Sequence, residues 1–311
     1  MTNTTVLITG GAGNVGSALA IKLAKDTNNT VVIIDNISTG SRDKVPNLDN
    51  VIFIKADVNN YQDVVPVFGR FNFDYVFHYA AVVGVARTLE NPMSVLEDIE
   101  GIKNILNLSK NTGVKRVFYS SSSEVYGEPF EIPQNEQTTP LNSRLPYAIV
   151  KNVGEAFFKS FYDEYGLEYT IFRFFNTYGP NQSDDFVMPR FLRAAMANEN
   201  IFIYGDGQQT RSFCYVDDNV DTCIKAMYSA DHINEVLNIG SDIEMTILEL
   251  AQEIIKFTNS KSEIIHLPAL KEGDMARRCP DNSKMRELLD RELVPLENGL
   301  KHLIDFYENR D

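Results

Sequence analysis

Residues 5–16 read TVLITGGAGNVG, and this stretch decides the fold class. A short β-branched run, Thr5–Thr9, leads into a loop with glycines at Gly10, Gly13 and Gly16, and an amphipathic stretch follows. The first glycine of such a loop turns the chain, the second lets another molecule approach the backbone, and the third lets a helix pack on the strand. The pattern therefore predicts a strand, a glycine turn and a helix as the first unit of an α/β fold.

The same alternation of strands and helices continues through the first half of the chain. The predicted strands are Thr5–Thr9, Val31–Asp35, Val51–Lys55, Tyr75–Tyr79, Arg116–Ser120 and Tyr169–Phe174, and the predicted helices include Val15–Lys25 and Met93–Thr112. Because strands joined by helices pair in parallel, we expect a Rossmann-type doubly wound parallel sheet covered on both faces. This domain is predicted to span residues 1–176 and to be rejoined by about 213–230, and residues 177–311 are predicted to form mainly a smaller C-terminal α+β lobe.

Composition and charge exclude several classes of protein. The 311 residues are 43% hydrophobic and 23% charged, which is typical of a globular chain. The net charge of −14 disfavours nucleic acid and anionic membrane surfaces as partners. The 3 cysteines fit neither a disulfide framework nor a zinc site, so we expect no metal and a cytoplasmic location. No apolar stretch is long enough to suggest a membrane span.

The glycine loop and the residue after the second strand predict a dinucleotide site. Asp35 follows Gly16 by about 20 residues, where a carboxylate accepts hydrogen bonds from ribose hydroxyls and repels a 2′-phosphate. This favours NAD over NADP as cofactor, although a structural turn with a solvated Asp35 is the alternative. Asp57 is expected to meet the adenine or to cap a helix. The predicted cofactor contacts are Gly10, Gly13, Asn14, Val15, Gly16, Asp35, Asn36, Asp57, Val58, Ala80 and Ala81, together with Tyr147 and Lys151.

A phenol and an ammonium are spaced for proton transfer. Tyr147 and Lys151 are separated by one helical turn and so lie on one face of a helix. A nearby cation and the nicotinamide charge favour the phenolate, which predicts a tyrosine pKa lowered toward working pH. A serine run, residues 120–123, and Glu124 follow the fifth predicted strand, where open α/β sheets bind ligands. A surface helix and a polar strand exit are the alternatives.

In these motifs the chain resembles the extended short-chain dehydrogenases/reductases that act on nucleotide sugars. The resemblance covers nearly the whole sequence. It includes, besides the glycine loop and the Tyr147/Lys151 pair, the segments 78–81, 91–92, 174–180, 204–207, 211–216 and 277–281. It implies tightly held, recycled NAD and a nucleoside-diphosphate sugar, with a UDP-sugar favoured, in the second lobe.

The resemblance also implies roles for individual residues. Tyr147 is expected to be the base for the sugar C4 hydroxyl, with Lys151 in support and Ser122 as the catalytic hydroxyl; Ser123 and Glu124 complete the predicted catalytic set. Two guanidinium groups and an amide, those of Arg211, Arg278 and Asn176, are expected at the pyrophosphate. The other predicted substrate contacts are Arg190, Tyr204 and Arg87, the last on the loop after the fourth strand, where a surface charge is the alternative.

Three reactions of such enzymes share oxidation at C4 and differ in the fate of the ketone. A 4-epimerase needs no second base, and it is our leading prediction. In this resemblance, UDP-glucuronate decarboxylases and nucleotide-sugar 4,6-dehydratases usually carry a glutamate at the position of Glu124, so both reactions stay as alternatives. Ser123 stands where dehydratases have an acid, and Asp98 stands where the family has asparagine. A reductase of small ketones and a non-catalytic dinucleotide sensor are the alternatives from other classes.

Two long helices are predicted to carry surplus apolar residues. They span residues 93–112 and 147–165, and the second includes Phe157, Phe158 and Phe161. The resemblance implies that such helices from two subunits form a four-helix interface, so we expect a homodimer. Ordinary packing of these helices on the sheet is the alternative.

Overall fold

The computed structural model describes residues 3–269 and 275–309. Three short stretches lie outside the described residues: 1–2 at the start of the predicted domain 1–176, and 270–274 and 310–311 in the predicted lobe 177–311. The helices are α1 (Asn14–Ala24), α2 (Tyr61–Arg70), α3 (Val85–Glu90), α4 (Pro92–Thr112), α5 (Pro146–Tyr165), α6 (Val187–Met196), α7 (Val216–Tyr228), α8 (Ile247–Thr258), α9 (Ser283–Leu289) and α10 (Leu296–Glu308). The strands are β1 (Thr4–Thr9), β2 (Asn29–Asp35), β3 (Val51–Lys55), β4 (Tyr75–His78), β5 (Arg116–Ser122), β6 (Glu168–Phe174), β7 (Thr177–Tyr178), β8 (Ile201–Tyr204), β9 (Thr210–Ser212), β10 (Cys214–Tyr215), β11 (Glu235–Ile239), β12 (Glu244–Thr246) and β13 (Ile264–Leu267).

Within these two ranges, seven strands form one parallel sheet in the order β11-β6-β5-β4-β1-β2-β3. The chain first builds outward from β1 to β3 and then returns to β4 on the other side of β1. This reversal opens a crevice at the carboxyl ends of β1 and β4, which is where doubly wound sheets bind ligands. The predicted Rossmann-type fold is confirmed.

Each face of the sheet packs against its own set of helices. Because side chains alternate along a strand, Val6 and Ile8 of β1 point to the face that is covered by α1 and α7. Leu7 points to the opposite face, which is covered by α2, α4 and α5. All three side chains are fully buried, so β1 lies at the centre of the molecule.

The smaller lobe is built from short strand pairs and helices beside the carboxyl edge. β13 pairs in parallel with β8, and β12 pairs antiparallel with β9. Helices α6 and α8 pack against each other and against β8. The chain returns to the main sheet between these pieces: α7 packs on α1, and β11 pairs with β6. The returning part therefore runs on to Ile239, past the expected limit at about residue 230.

Helix α5 positions much of the site, and both its ends follow from the sequence. Pro146 occupies the first turn, where a missing N–H costs no helical hydrogen bond. Gly166 ends the helix with φ of 73°, a left-handed conformation that suits glycine. No helix in the described part of the chain is long and apolar enough to cross a membrane.

Candidate active site

One cavity of about 620 Å³ opens at the carboxyl edge of the sheet, between the sheet and the smaller lobe. All the residues that the sequence predicted for cofactor, catalysis and substrate line it. They are Gly10, Gly13, Asn14, Val15, Gly16, Asp35, Asn36, Asp57, Val58, Ala80, Ala81, Arg87, Ser122, Ser123, Glu124, Tyr147, Lys151, Asn176, Arg190, Tyr204, Arg211 and Arg278. Among the described residues, no group of three or more His, Cys, Asp or Glu side chains is placed to hold a metal ion.

The glycine loop fits a dinucleotide. Gly10 has φ of 67°, and a Cβ there would lie 2.7 Å from the backbone nitrogen of Ala80, so only glycine lets β1 and β4 approach so closely. A Cβ at Gly16 would collide with the carbonyl of Gly10. Helix α1 begins at this loop with no side-chain cap and no acidic residue in its first turn. The N-terminal end of α1, with its free N–H groups and positive dipole charge, therefore faces the cavity and is available to bind a pyrophosphate.

Asp35 and Asp57 lie together at the other end of the cavity. Asp35 accepts hydrogen bonds from the backbone N–H of Ala12 at 3.0 Å and of Ile37 at 2.8 Å, which orients its carboxylate at the end of β2. Asp57 accepts a hydrogen bond from the Asn36 amide at 3.0 Å. The N-cap of α2 is Asn60, so the alternative role of Asp57 as a helix cap is wrong.

The phenol and the ammonium lie side by side at the end of β5. The Lys151 ammonium lies 5.7 Å from the centroid of the Tyr147 ring. Lys151 donates hydrogen bonds to the Ser120 carbonyl oxygen at 2.6 Å and to its hydroxyl at 3.3 Å. The Tyr147 hydroxyl lies near enough to the Ser122 hydroxyl for that group to oppose the rise in the tyrosine pKa. A phenol, a hydroxyl and an ammonium are thus gathered around one point of the cavity, where a substrate alcohol could exchange a proton.

Burial, not the lysine, dominates the electrostatics of this pair. Burial raises the pKa of Tyr147 well above its ordinary value, the Glu124 charge raises this pKa further, and the Ser122 hydroxyl and the Arg278 charge only partly oppose the shift. The sequence predicted a lowered tyrosine pKa, and for the protein's own groups this is wrong. Burial also lowers the pKa of Lys151 to about 8, opposed by the Asp98 carboxylate.

Glu124 and Arg278 form an ion pair inside the cavity. The Arg278 Nη1 atom lies 2.7 Å from the Glu124 Oε1 atom, and both side chains are largely buried. The Arg278 Nε atom is also buried, and it has no hydrogen-bond partner in the part of the chain that the structure describes. Because the Arg278 charge acts on Tyr147, this guanidinium lies near the reacting end of the cavity as well as facing its interior.

The remaining predicted substrate contacts lie on the wall formed by the smaller lobe. Arg211 is buried and donates hydrogen bonds to the carbonyls of Thr210 and Met275, both at 2.7 Å. Asn176 has φ of 30°, a left-handed conformation unusual for a non-glycine residue, and its amide donates to the Ser212 carbonyl at 3.1 Å. The guanidinium of Arg190 lies 6.0 Å from the centroid of the Tyr204 ring.

Arg87 is held by an acidic residue that the sequence analysis missed. Its guanidinium lies 2.7 Å from the Asp185 carboxylate, and its Nη1 atom donates to the Val83 carbonyl at 3.0 Å. Asp185 belongs to the polar loop before α6, so this ion pair joins the sheet side of the cavity to the smaller lobe. Lys44 was also missed; it lines the cavity and donates to the Asn181 carbonyl at 2.8 Å. A basic residue shortly after the second strand was its only signal in the sequence.

Comparisons with known proteins agree on one group. A family model described as "NAD dependent epimerase/dehydratase family" matches residues 6–240. UDP-N-acetyl-alpha-D-glucosaminuronate decarboxylase from Bacillus cytotoxicus is 37% identical over 97% of both chains. UDP-glucuronic acid decarboxylase 1 from Danio rerio is 36% identical over 97% of this chain and 72% of its own. The crystal structure of UDP-glucose 4-epimerase from Thermotoga maritima with UDP-glucose superimposes with a TM-score of 0.93, at 32% identity over 99% of both chains.

Proposed function

The chain belongs to the NAD-dependent epimerase/dehydratase family, and from this premise we propose that it is a nucleotide-sugar 4-epimerase. Membership of the family makes it an NAD-dependent enzyme. The observation that carries the specific proposal is the geometry at the end of β5. There Ser122, Tyr147 and Lys151 form a complete set for oxidising an alcohol, while Glu124 is engaged by Arg278.

Each member of the set has a separate task in the proposed reaction. Tyr147 takes the proton of the C4 hydroxyl and returns it after the ketone is reduced from the other face. Ser122 lies near the phenol and holds the sugar oxygen beside it. Lys151, anchored on the Ser120 carbonyl, holds its charge next to the phenol. Bound NAD supplies the hydride acceptor, and its positive ring favours the phenolate that the buried protein groups disfavour.

The proposed substrate is a UDP-sugar. A dianionic pyrophosphate would need cations in a chain whose net charge is −14, and guanidinium groups bind such oxygens in bidentate form. Arg211 and Arg278 both line the cavity, and the two carbonyls that hold Arg211 fix its direction. The likeness to an epimerase structure that contains UDP-glucose supports this assignment.

A decarboxylase acting on a nucleotide uronic acid is the second candidate, and the position of Arg278 favours it. A 4-ketone makes a uronic acid a β-keto acid, so its carboxylate would leave as CO2. Arg278 lies close enough to influence Tyr147 and would offer a cation to such a carboxylate. The decarboxylase from Bacillus cytotoxicus, at 37% identity, gives further support. A dehydratase is less favoured, because Ser123 replaces the acid that would protonate the C6 hydroxyl.

Incubation with a panel of UDP-, dTDP-, GDP- and CDP-linked hexoses and uronic acids, read by mass spectrometry and chromatography, tests both candidates. A product of unchanged mass that elutes as the 4-epimer is the expected result. Loss of CO2 from a uronic acid would overturn the epimerase in favour of the decarboxylase, and loss of water would favour a dehydratase. NAD that remains bound through purification is also expected, whereas a small-ketone reductase would exchange it freely.

The state of the protein in the cell is part of the same proposal. We propose a homodimer through α4 and α5, which pack on each other and expose large apolar side chains. These are Met93, Leu96, Ile149, Tyr162 and Tyr165. Light scattering during size-exclusion chromatography checks the mass, and a monomer would refute the dimer.

We also propose a cytoplasmic location, because all three cysteines are unpaired thiols, as in a reducing compartment.

A further inference from the structure

A buried carboxylate lies on the same face of α5 as the two residues that serve the proposed proton transfer. Glu155 follows Lys151 by one helical turn and Tyr147 by two, so the three side chains form one stripe. Glu155 is 1% exposed. Its Oε1 atom accepts hydrogen bonds from the Ser121 hydroxyl at 2.6 Å and from the Arg173 Nε atom at 2.8 Å, and its Oε2 atom accepts from the Arg173 Nη2 atom at 2.7 Å.

This stripe reaches three successive residues of β5. Lys151 donates a hydrogen bond to Ser120, Glu155 accepts one from the Ser121 hydroxyl, and Tyr147 lies near Ser122. Because side chains alternate along a strand, Ser121 points to the face of the sheet that α5 covers, whereas its two neighbours point to the other. Helix α5 therefore holds the carboxyl end of β5 by hydrogen bonds to two successive residues, Ser120 and Ser121.

A second arm of the same network reaches the turn that carries Glu124. The Arg173 Nη1 atom donates a hydrogen bond to the Tyr126 hydroxyl at 2.8 Å, and that hydroxyl donates to the Asn238 Oδ1 atom at 2.7 Å. Tyr126 is fully buried and ends the short 3-10 helix that begins just before Glu124. The position of this turn thus depends on a ring and a guanidinium that lie behind it.

We propose that Glu155 is a positioning residue, which places Ser122 through Ser121 and places Glu124 through Arg173 and Tyr126. The proposal rests on the function proposed above for Tyr147 and Ser122. Stability alone does not explain the arrangement, because buried ion pairs are often no more stabilising than apolar side chains of the same size. Directional hydrogen bonds to a buried charge do fix geometry, and small displacements of reacting groups reduce turnover strongly.

The first test cuts the arm to Ser122 and leaves the ion pair intact. Replacing Glu155 itself would leave the Arg173 charge buried without a partner and could unfold the protein. Ser121→Ala removes only the hydroxyl; we expect kcat to fall about tenfold and KM for the nucleotide sugar to stay within about twofold. Ser109→Ala is the matched control, since Ser109 is fully buried in α4, lies outside the cavity lining and has a hydroxyl without a partner among the described residues.

The second test cuts the arm to Glu124. Tyr126→Phe keeps the ring and removes the hydroxyl that Arg173 holds, so we expect KM to rise about threefold or more, because the Glu124–Arg278 pair is displaced, with a smaller change in kcat. Tyr307→Phe in α10 is the matched control, because Tyr307 is also buried and lies outside the cavity lining.

The outcomes separate this proposal from its premise. Ser121→Ala and Tyr126→Phe must keep thermal midpoints close to those of their controls, so that the split between kcat and KM reports geometry. If the wild type is active and Ser121→Ala has the same kcat and KM as Ser109→Ala, the positioning role alone is refuted. It is also refuted if kcat falls and KM rises by the same factor while the thermal midpoint drops. A wild-type enzyme that converts no nucleotide sugar would refute the proposed function, and the positioning role with it.

Discussion

Replacing Lys151 by methionine is expected to make the protein more stable while it abolishes turnover. Lys151 is 3% exposed, and burial lowers its pKa from 10.5 to about 8. A shift of about 2.5 pKa units corresponds to roughly 3 kcal/mol against the charged form in the folded state. Methionine removes this cost but also loses the hydrogen bonds that the charged ammonium donates to the Ser120 carbonyl and hydroxyl, worth about 2 kcal/mol. At pH 7 we therefore expect Lys151→Met to raise the free energy of unfolding by about 1 kcal/mol.

The dependence on pH isolates this effect from other consequences of the substitution. Between about pH 8 and 10.5 the unfolded chain keeps the lysine proton and the folded protein loses it, so folded stability rises with pH by about 1.4 kcal/mol per unit. Below pH 8 the cost is fully present. The stability of the wild type relative to Lys151→Met should therefore increase by about 2 kcal/mol between pH 8 and 9.5. Chemical denaturation followed by circular dichroism measures both proteins after bound NAD has been removed from each, because a cofactor bound to one of them would change its apparent stability.

The control is Lys103→Met, because the Lys103 side chain on α4 is 41% exposed and pairs with Glu100 one turn away. Its difference from the wild type should stay constant over the same pH range. A constant difference for Lys151→Met as well, or a loss of stability at pH 7, would refute the reasoning that burial strains the Lys151 charge.

Three further substitutions test the site directly. Tyr147→Phe should reduce kcat by at least about 100-fold without lowering the thermal midpoint, because it removes the proton acceptor but little volume; near-normal turnover would refute the role of Tyr147. Glu124→Ala should reduce kcat/KM less than about tenfold in a 4-epimerase, and a much larger loss in steady-state assays would count for the decarboxylase. Asp35→Ser should weaken NAD relative to NADP by about tenfold or more in binding titrations, since a serine no longer repels a 2′-phosphate; an unchanged ratio would contradict the cofactor assignment.

The sheet could be predicted from local signals, but its seventh strand could not. The glycine loop and six β-branched runs each carry their own pattern, and the helix bounds follow from prolines and glycines such as Pro146 and Gly166. The strand β11 is a short run, Glu235–Ile239, that joins the sheet only through pairing with β6. Sequence periodicity indicates that a segment is extended, but it does not indicate which distant strand lies beside it.

The same limit applies to the candidate site. The predicted site residues all line the cavity, because each follows a strand at the carboxyl edge or belongs to a motif, whereas Lys44 and Asp185 do neither and were missed. The ion pairs Glu124–Arg278 and Arg87–Asp185 could not be predicted, because their partners are distant in sequence. The sequence predicted the wrong direction for the Tyr147 pKa shift for a related reason. The spacing to Lys151 is visible in the sequence, whereas burial, which raises this pKa, depends on the packing of the whole molecule.

The distribution of charge connects the acidic chain to its proposed anionic substrate. The chain carries a net charge of −14, yet six basic and five acidic side chains line the cavity in the described part of the chain. The cavity is therefore close to neutral in a protein that otherwise repels anions. Two of its guanidinium groups, on Arg87 and Arg278, are held by carboxylates of the chain itself, which orient them before any ligand arrives. Under the proposed function a pyrophosphate must then compete with Glu124 for Arg278, so binding selects ligands whose double charge exceeds that of a single carboxylate.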